Sequence, residues 1–94
     1  MLPPNPARGE VVVTLAGVPR RLCLTLGALA RIEAALDLSD WAQLPDRIAS
    51  LGAIDLTAVL AALLDGGGES PDHAVRATAP EAVSALAAAL AACA

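Results

Sequence analysis

The amino-acid sequence predicts an α+β fold in which an N-terminal antiparallel β-hairpin packs against four to five short α-helices. The first observation is a change of apolar period: leucines recur at every second residue from Leu22 to Leu26, and apolar residues then recur every three or four up to Leu36. The second is an apolar content of 56% that consists mostly of alanine and leucine, which favours helices. These observations indicate a strand that runs directly into a helix, with more helices after it.

The hairpin is predicted over residues 10–26, after a flexible arm at residues 1–8 that contains three prolines. Alternating apolar residues mark its strands, and Gly17 lies in the turn, where it is free to take a positive φ. The residues expected on one face are Val11, Val13 and Leu15 from the first strand and Leu22, Leu24 and Leu26 from the second. This face needs a cover, which we expect the first helix to provide within a single domain at residues 9–94.

The first two helices are predicted over residues 26–36 and 40–51. Thr25 is placed to cap the first helix, because its hydroxyl can accept a hydrogen bond from an unpaired amide of the first turn. Ser39 is placed to cap the second. Pro45 interrupts the second pattern, so that either the main helix begins at Pro45 or the helix kinks there.

Three further helices are predicted over residues 55–65, 71–77 and 79–92. Asp55 and Ser70 are the expected N-caps of the first two, and Thr78 with Glu81 forms a capping box for the last. The glycine run at residues 66–68 follows a helix and is not followed by a phosphate-binding motif, so it is predicted to be a flexible linker.

Composition and charge exclude several function classes. The net charge is −4 and lysine is absent, which argues against nucleic acid as a partner. Arg20 and Arg21 are predicted to be a solvated strand edge rather than a phosphate site. The longest weakly polar run, residues 82–94, is shorter than the ~20 residues of a spanning helix, and the N-terminus lacks an apolar signal-like core. We therefore expect a cytoplasmic protein without membrane contact.

The sequence offers no set of catalytic, cofactor-binding or metal-binding residues. His73 is the single histidine, and Cys23 and Cys93 are far apart in the chain with no histidine beside either. The serines occur at helix caps or among alanines, without a neighbouring base. A non-enzymatic protein without cofactors is the prediction.

The hairpin and first helix resemble the small tail-cluster proteins of gene transfer agents and related prophages. The matching segments are Gly9-Glu10-Val11-Val12-Val13-Thr14-Leu15-Ala16-Gly17, Leu22-Cys23-Leu24-Thr25-Leu26-Gly27-Ala28-Leu29-Ala30-Arg31-Ile32-Glu33, and the spaced residues Ala42, Leu44, Arg47, Ile48 and Ala49. The resemblance covers residues 9–68, including the glycine run.

The resemblance implies a tail assembly chaperone that binds the tape-measure protein, the tail-tube protein or both during tail morphogenesis. An alternative is a structural or oligomeric subunit that remains in the mature tail, with the hairpin edge extending a sheet between copies. A homo-oligomer is therefore possible.

The expected partner contacts are apolar residues that the core does not fully hide. They are Trp41, Leu44, Leu60, Leu64, Leu86 and Leu90. Each of them can also serve as core, and for Trp41 core packing is the favoured alternative.

Overall fold

The computed structural model describes residues 9–39, 41–43, 46–47 and 50–92. In chain order the elements are β1 (Glu10–Leu15), β2 (Val18–Cys23), α1 (Leu26–Leu36), a 3-10 helix (Trp41–Gln43), α2 (Ala53–Gly66), a second 3-10 helix (Pro71–Arg76) and α3 (Ala79–Ala92). An antiparallel hairpin followed by helices confirms the predicted α+β class. The predicted arm at residues 1–8, Pro45 with its two alternatives, and Cys93 lie outside the described residues.

The hairpin turns over two residues, and both take positive φ. Ala16 has φ +52° and Gly17 has φ +80°, so that Leu15 pairs with Val18 across the turn. Positive φ at both central positions matches the right-handed twist of the flanking strands. The same register pairs Val13 with Arg20 and Val11 with Leu22.

The second strand is shorter than the alternating leucines predict. β2 ends at Cys23, and Thr25 already caps α1. Leu24 follows the strand and is partly buried against the core, whereas Leu26 begins α1 with 83% of its surface exposed. The expectation that Leu24 and Leu26 continue the strand face is wrong, because helix capping ends the strand first.

Two helices cover the apolar face of the hairpin. α2 packs against β2 and α3 packs against β1, while α1 packs mainly on α2 rather than over the hairpin as expected. The core between these layers contains leucines from every layer and closely packed alanines from the helices. Its fully buried large side chains are Leu15, Leu22, Ile32, Val59, Leu60, Leu64 and Leu86.

Thr25 and Ser70 cap the segments that follow them, whereas Asp55 is not a cap and no cap bond from Ser39 is found among the described residues. Thr25 Oγ1 accepts a hydrogen bond from the Ala28 N–H at 3.0 Å, as predicted. Ser70 Oγ accepts one from the Asp72 N–H at 3.3 Å, although the segment that follows is a 3-10 helix rather than an α-helix. The N-cap of α2 is Gly52, not Asp55, which lies in the first turn, where a carboxylate favours the positive end of the helix dipole.

The segment predicted as the second helix is described only in part. Trp41–Gln43 form a 3-10 helix, and Asp46 and Arg47 are helical. The Gln43 side chain accepts a hydrogen bond from the Ser39 N–H at 3.3 Å, and Arg47 donates to the last carbonyl of α1, Leu36 O, at 3.4 Å. These bonds tie the segment to the end of α1.

The glycine run after α2 is a packed contact and not a flexible linker. A Cβ on Gly66 would collide with the Cys23 carbonyl, and one on Gly67 with the Arg21 carbonyl. Gly68 takes φ +81°, and two hydrogen bonds close the helix end: Gly68 N–H to Asp65 O at 3.1 Å and Glu69 N–H to Leu64 O at 2.9 Å. The predicted linker is wrong because the absent side chains let the backbone of α2 approach β2.

Candidate protein-interaction site

The two outer edges of the hairpin carry different hydrogen-bonding groups. In an antiparallel pair, residues alternate between those that bond across the ladder and those whose N–H and C=O point outward. Because Leu15 and Val18 flank a two-residue turn, they belong to the bonded set. The outward groups are therefore those of Glu10, Val12 and Thr14 on β1 and of Pro19, Arg21 and Cys23 on β2.

The outer edge of β2 is closed by the segment that follows α2. Pro19 has no N–H to offer. The Arg21 N–H donates to Glu69 Oε2 at 3.0 Å, and the carbonyls of Arg21 and Cys23 face the glycines at the end of α2. The Arg21 N–H is thus already bonded, and the glycines at the end of α2 occupy the space that another strand would need.

The outer edge of β1, which we call the β1 edge, is open among the described residues. β1 pairs with no described strand except β2, and no described group bonds to the outward backbone of Val12 or Thr14. The Thr14 side chain is exposed, and that of Val12 is half-buried. An open edge of this kind is a template for strand addition.

A shallow groove of about 470 Å³, the edge groove, runs beside the β1 edge between β1 and α3. Its floor is made of small side chains, so an incoming chain can approach α3 closely. The lining residues are Val13, Thr14, Pro80, Glu81, Ser84, Ala85 and Ala88.

Glu81 joins the start of α3 to the hairpin turn. Its Oε1 accepts hydrogen bonds from the Thr78 N–H at 2.9 Å and the Ala16 N–H at 3.2 Å, and the Glu81 N–H donates to Thr78 Oγ1 at 3.3 Å. The predicted capping box is confirmed, and the bond to Ala16 is additional. The Thr78 and Ala16 N–H groups stabilise the ionised carboxylate and hold the pKa of Glu81 below its ordinary value.

A second groove, the helical groove, lies between the start of α2, the second 3-10 helix and the start of α3. It measures about 330 Å³ and is lined mostly by apolar side chains, among them Leu56 and Val83. Val83, 51% exposed, is part of its lining, and the exposed Ile54 (86%) and Val75 (73%) follow the lining residues Ala53 and Ala74 in the chain. Exposed apolar surface around a concave groove is typical of a protein-binding region.

The structure places the predicted contact residues mostly below the surface. Leu60, Leu64 and Leu86 are fully buried, and Leu90 is partly buried against the core. The expectation that the core leaves the three buried leucines accessible is wrong, because each lies where α2 or α3 meets the hairpin or another helix. Leu44 and the Trp41 side chain lie outside the described part of the chain, and their role as contacts stays a prediction.

The sequence alone did not show which of the two hairpin edges is the open one. The signal for it is Pro19, which removes a donor from one edge only. Arg20 and Arg21 are half-buried rather than solvated, and Arg20 Nη1 lies 3.6 Å from Glu69 Oε1. Glu69 lies 49 residues after Arg20 in the chain, so this pairing could not be assigned from local pattern.

The described residues hold no cluster of three or more His, Cys, Asp or Glu side chains suited to a metal ion. In the same part of the chain, no helix has both the length and the apolar character needed to cross a membrane.

A model of the protein family described as "Phage tail tube protein, GTA-gp10" matches residues 8–94. The match spans nearly the whole chain and includes both strands of the hairpin and all three α-helices. No curated protein and no solved structure matches the chain.

Proposed function

Because the chain belongs to the phage tail tube protein family GTA-gp10, whose model matches residues 8–94, we propose that it is a structural subunit retained in the mature phage-type tail. Membership confirms the resemblance to gene transfer agent tail proteins and gives the chain a role in the tail. The family description names a tube component, which supports a retained subunit better than an assembly chaperone. The subunit acts by binding other tail proteins and copies of itself, without catalysis.

The observation that carries this proposal, beside the family, is the difference between the two hairpin edges. A retained subunit needs a durable contact, and a strand edge offers several directed backbone hydrogen bonds at once. The outward Arg21 N–H of β2 is bonded to Glu69, whereas no described group bonds to the outward backbone of Val12 or Thr14. The edge groove beside them supplies apolar surface for the same contact.

The test is the protein content of purified tails. Particles from producing cells are separated from free protein on a density gradient, and the chain is quantified by mass spectrometry against a known tail protein. We expect a fixed ratio of at least several copies per particle. A chain that is abundant in the lysate and lost from the particles would contradict the proposal.

A second candidate function is a tail assembly chaperone for the tape-measure protein. The helical groove favours it, because the exposed Ile54, Val75 and Val83 offer an apolar surface to an amphipathic helix of a partner. Co-expression should then raise the soluble yield of the tape-measure protein.

A matched pair of variants tests this candidate. Ile54→Ser should abolish the rise in yield, and Thr14→Ser, on the β1 edge, should leave it unchanged. If co-expression of the chain leaves the soluble yield of tape-measure protein unchanged, the chaperone function is contradicted.

A further inference from the structure

We propose that the Glu81 carboxylate is a latch that holds Ala16 in its left-handed conformation and so fixes the hairpin turn against the start of α3. Glu81, which also lines the edge groove, is then a positioning residue for the turn end of the β1 edge, in addition to its part in the cap of α3. This inference concerns the isolated chain, so it goes beyond the proposed function and does not depend on it.

The backbone of Ala16 takes a conformation that alanine rarely adopts. Its φ is +52°, a region that is unfavourable for residues with a Cβ and that asparagine and aspartate tolerate better than alanine. A two-residue turn of this type therefore favours Asn-Gly or Asp-Gly, and alanine has no polar side chain that could bond to the turn. The turn sequence alone does not account for the conformation, so a contact from outside the turn must stabilise it.

Side-chain packing does not supply that contact. Ala16, Gly17 and Val18 are all exposed, and a Cβ on Gly17 would meet no described atom within 4 Å beyond its chain neighbours. The strand ladder does not use the Ala16 N–H either, because the pair that closes the turn is Leu15 with Val18. The Glu81 carboxylate, which accepts the Ala16 N–H at 3.2 Å, is therefore the contact that holds the turn.

A comparison within the chain supports this assignment. Asp37 is the second non-glycine residue with positive φ among the described residues, at +54°. It ends α1, and its backbone N–H bonds to the Glu33 carbonyl, so a local helix-end bond holds its conformation. At Ala16 the acceptor lies 65 residues away in the chain. The turn conformation thus depends on a tertiary contact.

One atom of Glu81 joins the turn to the helix. Oε1 accepts both the Ala16 N–H, at 3.2 Å, and the Thr78 N–H, at 2.9 Å. A rotation of the side chain that moves Oε1 away breaks both bonds, so the conformation that caps α3 is also the one that holds the turn. Buried residues such as Ala82 and Leu86 keep the rest of α3 on the core, which confines the release to the turn and the helix start.

NMR spectroscopy of residue 16 tests the latch. Positive φ brings the amide and α protons of a residue close together, which gives a strong nuclear Overhauser cross-peak between them. We expect this cross-peak at Ala16 in the unmodified chain, and we expect it to weaken by at least about two-fold in Glu81→Ala, because the turn relaxes out of the left-handed region.

Thr78→Ala is the matched control. It removes the hydroxyl that accepts the Glu81 N–H, and it leaves the Glu81 carboxylate and both N–H donors in place. It therefore weakens the cap of α3 without releasing the turn, and should keep the cross-peak. An unchanged cross-peak in Glu81→Ala, or an equal loss in Thr78→Ala, would overturn the proposal.

A rescue variant separates the turn from the helix cap. Asparagine tolerates positive φ without help, so Ala16→Asn added to Glu81→Ala should restore the cross-peak at residue 16. The Val18 amide, beside the turn, should exchange with solvent at least about ten-fold faster in Glu81→Ala than in this double variant. Equal exchange rates would overturn the proposal. If circular dichroism shows that Glu81→Ala does not fold, Ala16→Asn must restore the fold, and its failure to do so would also overturn the proposal.

Discussion

The backbone N–H of Arg21 donates a hydrogen bond to the Glu69 carboxylate at 3.0 Å, across 48 residues of chain. The same carboxylate lies 3.6 Å from the Arg20 guanidinium. One acidic side chain after α2 therefore satisfies an outward group of β2 and pairs with a neighbouring cation. Within the part of the chain that the structure describes, the hairpin therefore has one closed and one open edge, which is the feature that the proposed function uses.

Removing the Glu69 carboxylate should weaken the fold and open the second edge. Glu69→Ala leaves the partly buried Arg21 N–H without its acceptor, so we expect unfolding free energy to fall by about 1–3 kcal/mol in urea titrations. Glu69→Gln keeps an acceptor and should lose about 1 kcal/mol or less, because the ion pair with Arg20 is partly exposed. As the protein concentration rises, larger oligomers should form in Glu69→Ala but not in Glu69→Gln. Equal stability of the two variants would contradict the role assigned to this bond.

Adding a methyl group at Gly66 should destabilise the chain although alanine is the better helix former. The new Cβ would collide with the Cys23 carbonyl, and overpacking of this kind costs about 1–3 kcal/mol. Gly27→Ala in α1 is the control, because its Cβ would meet only Thr25 Oγ1 at 3.9 Å. That variant should gain about 0.5–1 kcal/mol. Thermal unfolding of both variants checks the opposite signs; a stable Gly66→Ala would support a flexible linker instead.

The turn residues should respond in opposite directions to substitution. Ala16 holds φ +52°, which asparagine tolerates better, so Ala16→Asn should raise stability by about 0.5–1 kcal/mol. Gly17 holds φ +80° with open space around it, so Gly17→Ala should cost about 1–2 kcal/mol through backbone strain alone. Denaturant midpoints measure both effects. A neutral Gly17→Ala would show that the turn relaxes to another type.

The Glu81 carboxylate should make stability depend on acid pH. Hydrogen bonds from the Thr78 and Ala16 N–H groups lower the pKa of Glu81 from its ordinary value of 4.5. Because the folded state binds this proton less readily than the unfolded state, the stabilisation is complete above pH 4.5 and is lost as the pH falls through the lowered pKa.

The measurement compares unfolding free energies of the unmodified chain and Glu81→Gln between neutral and acid pH. The difference between them should shrink as the pH falls, because only the carboxylate loses its charge. Thr78→Ala removes only the smaller side-chain hydrogen bond and keeps both backbone donors, so it should retain most of the pH dependence. A constant difference across the range would show that the Glu81 charge does not contribute.

Truncating a buried leucine should cost far more than truncating an exposed apolar residue. Leu60 is fully buried, so Leu60→Ala should lose about 2–5 kcal/mol and shift the thermal midpoint strongly. Ile54 is 86% exposed, and Ile54→Ala should change stability by about 0.5 kcal/mol or less. Similar losses in the two variants would mean that Ile54 is covered in solution.

Local interactions explain why much of the fold could be predicted. The Thr25 cap, the Thr78–Glu81 capping box and the hairpin turn each involve residues within four positions of one another. A short stretch of sequence therefore contains all the residues that form each of these interactions. The sequence pattern misplaces the end of β2, because the alternation of Leu22, Leu24 and Leu26 continues past the point where Thr25 already caps the helix.

The candidate site was harder to predict, because it depends on which surfaces remain after packing. Apolar positions such as Leu64 and Leu86 look alike in the sequence whether they face the core or a partner. The β1 edge carries no unusual residue of its own, and it is defined by the fact that no neighbour among the described residues covers it.

The sequence by itself determined the class of fold, the starts of α1 and α3 and the exclusion of a lysine-rich nucleic-acid surface, since these follow from short-range pattern and composition. Only the tertiary structure decided that the glycines at the end of α2 pack against β2, that Glu69 closes one edge, and that no described residue covers the β1 edge. The reason is distance along the chain: the backbone of Arg21 and the carboxylate of Glu69 acquire their relationship only when α2 brings its end beside the strand.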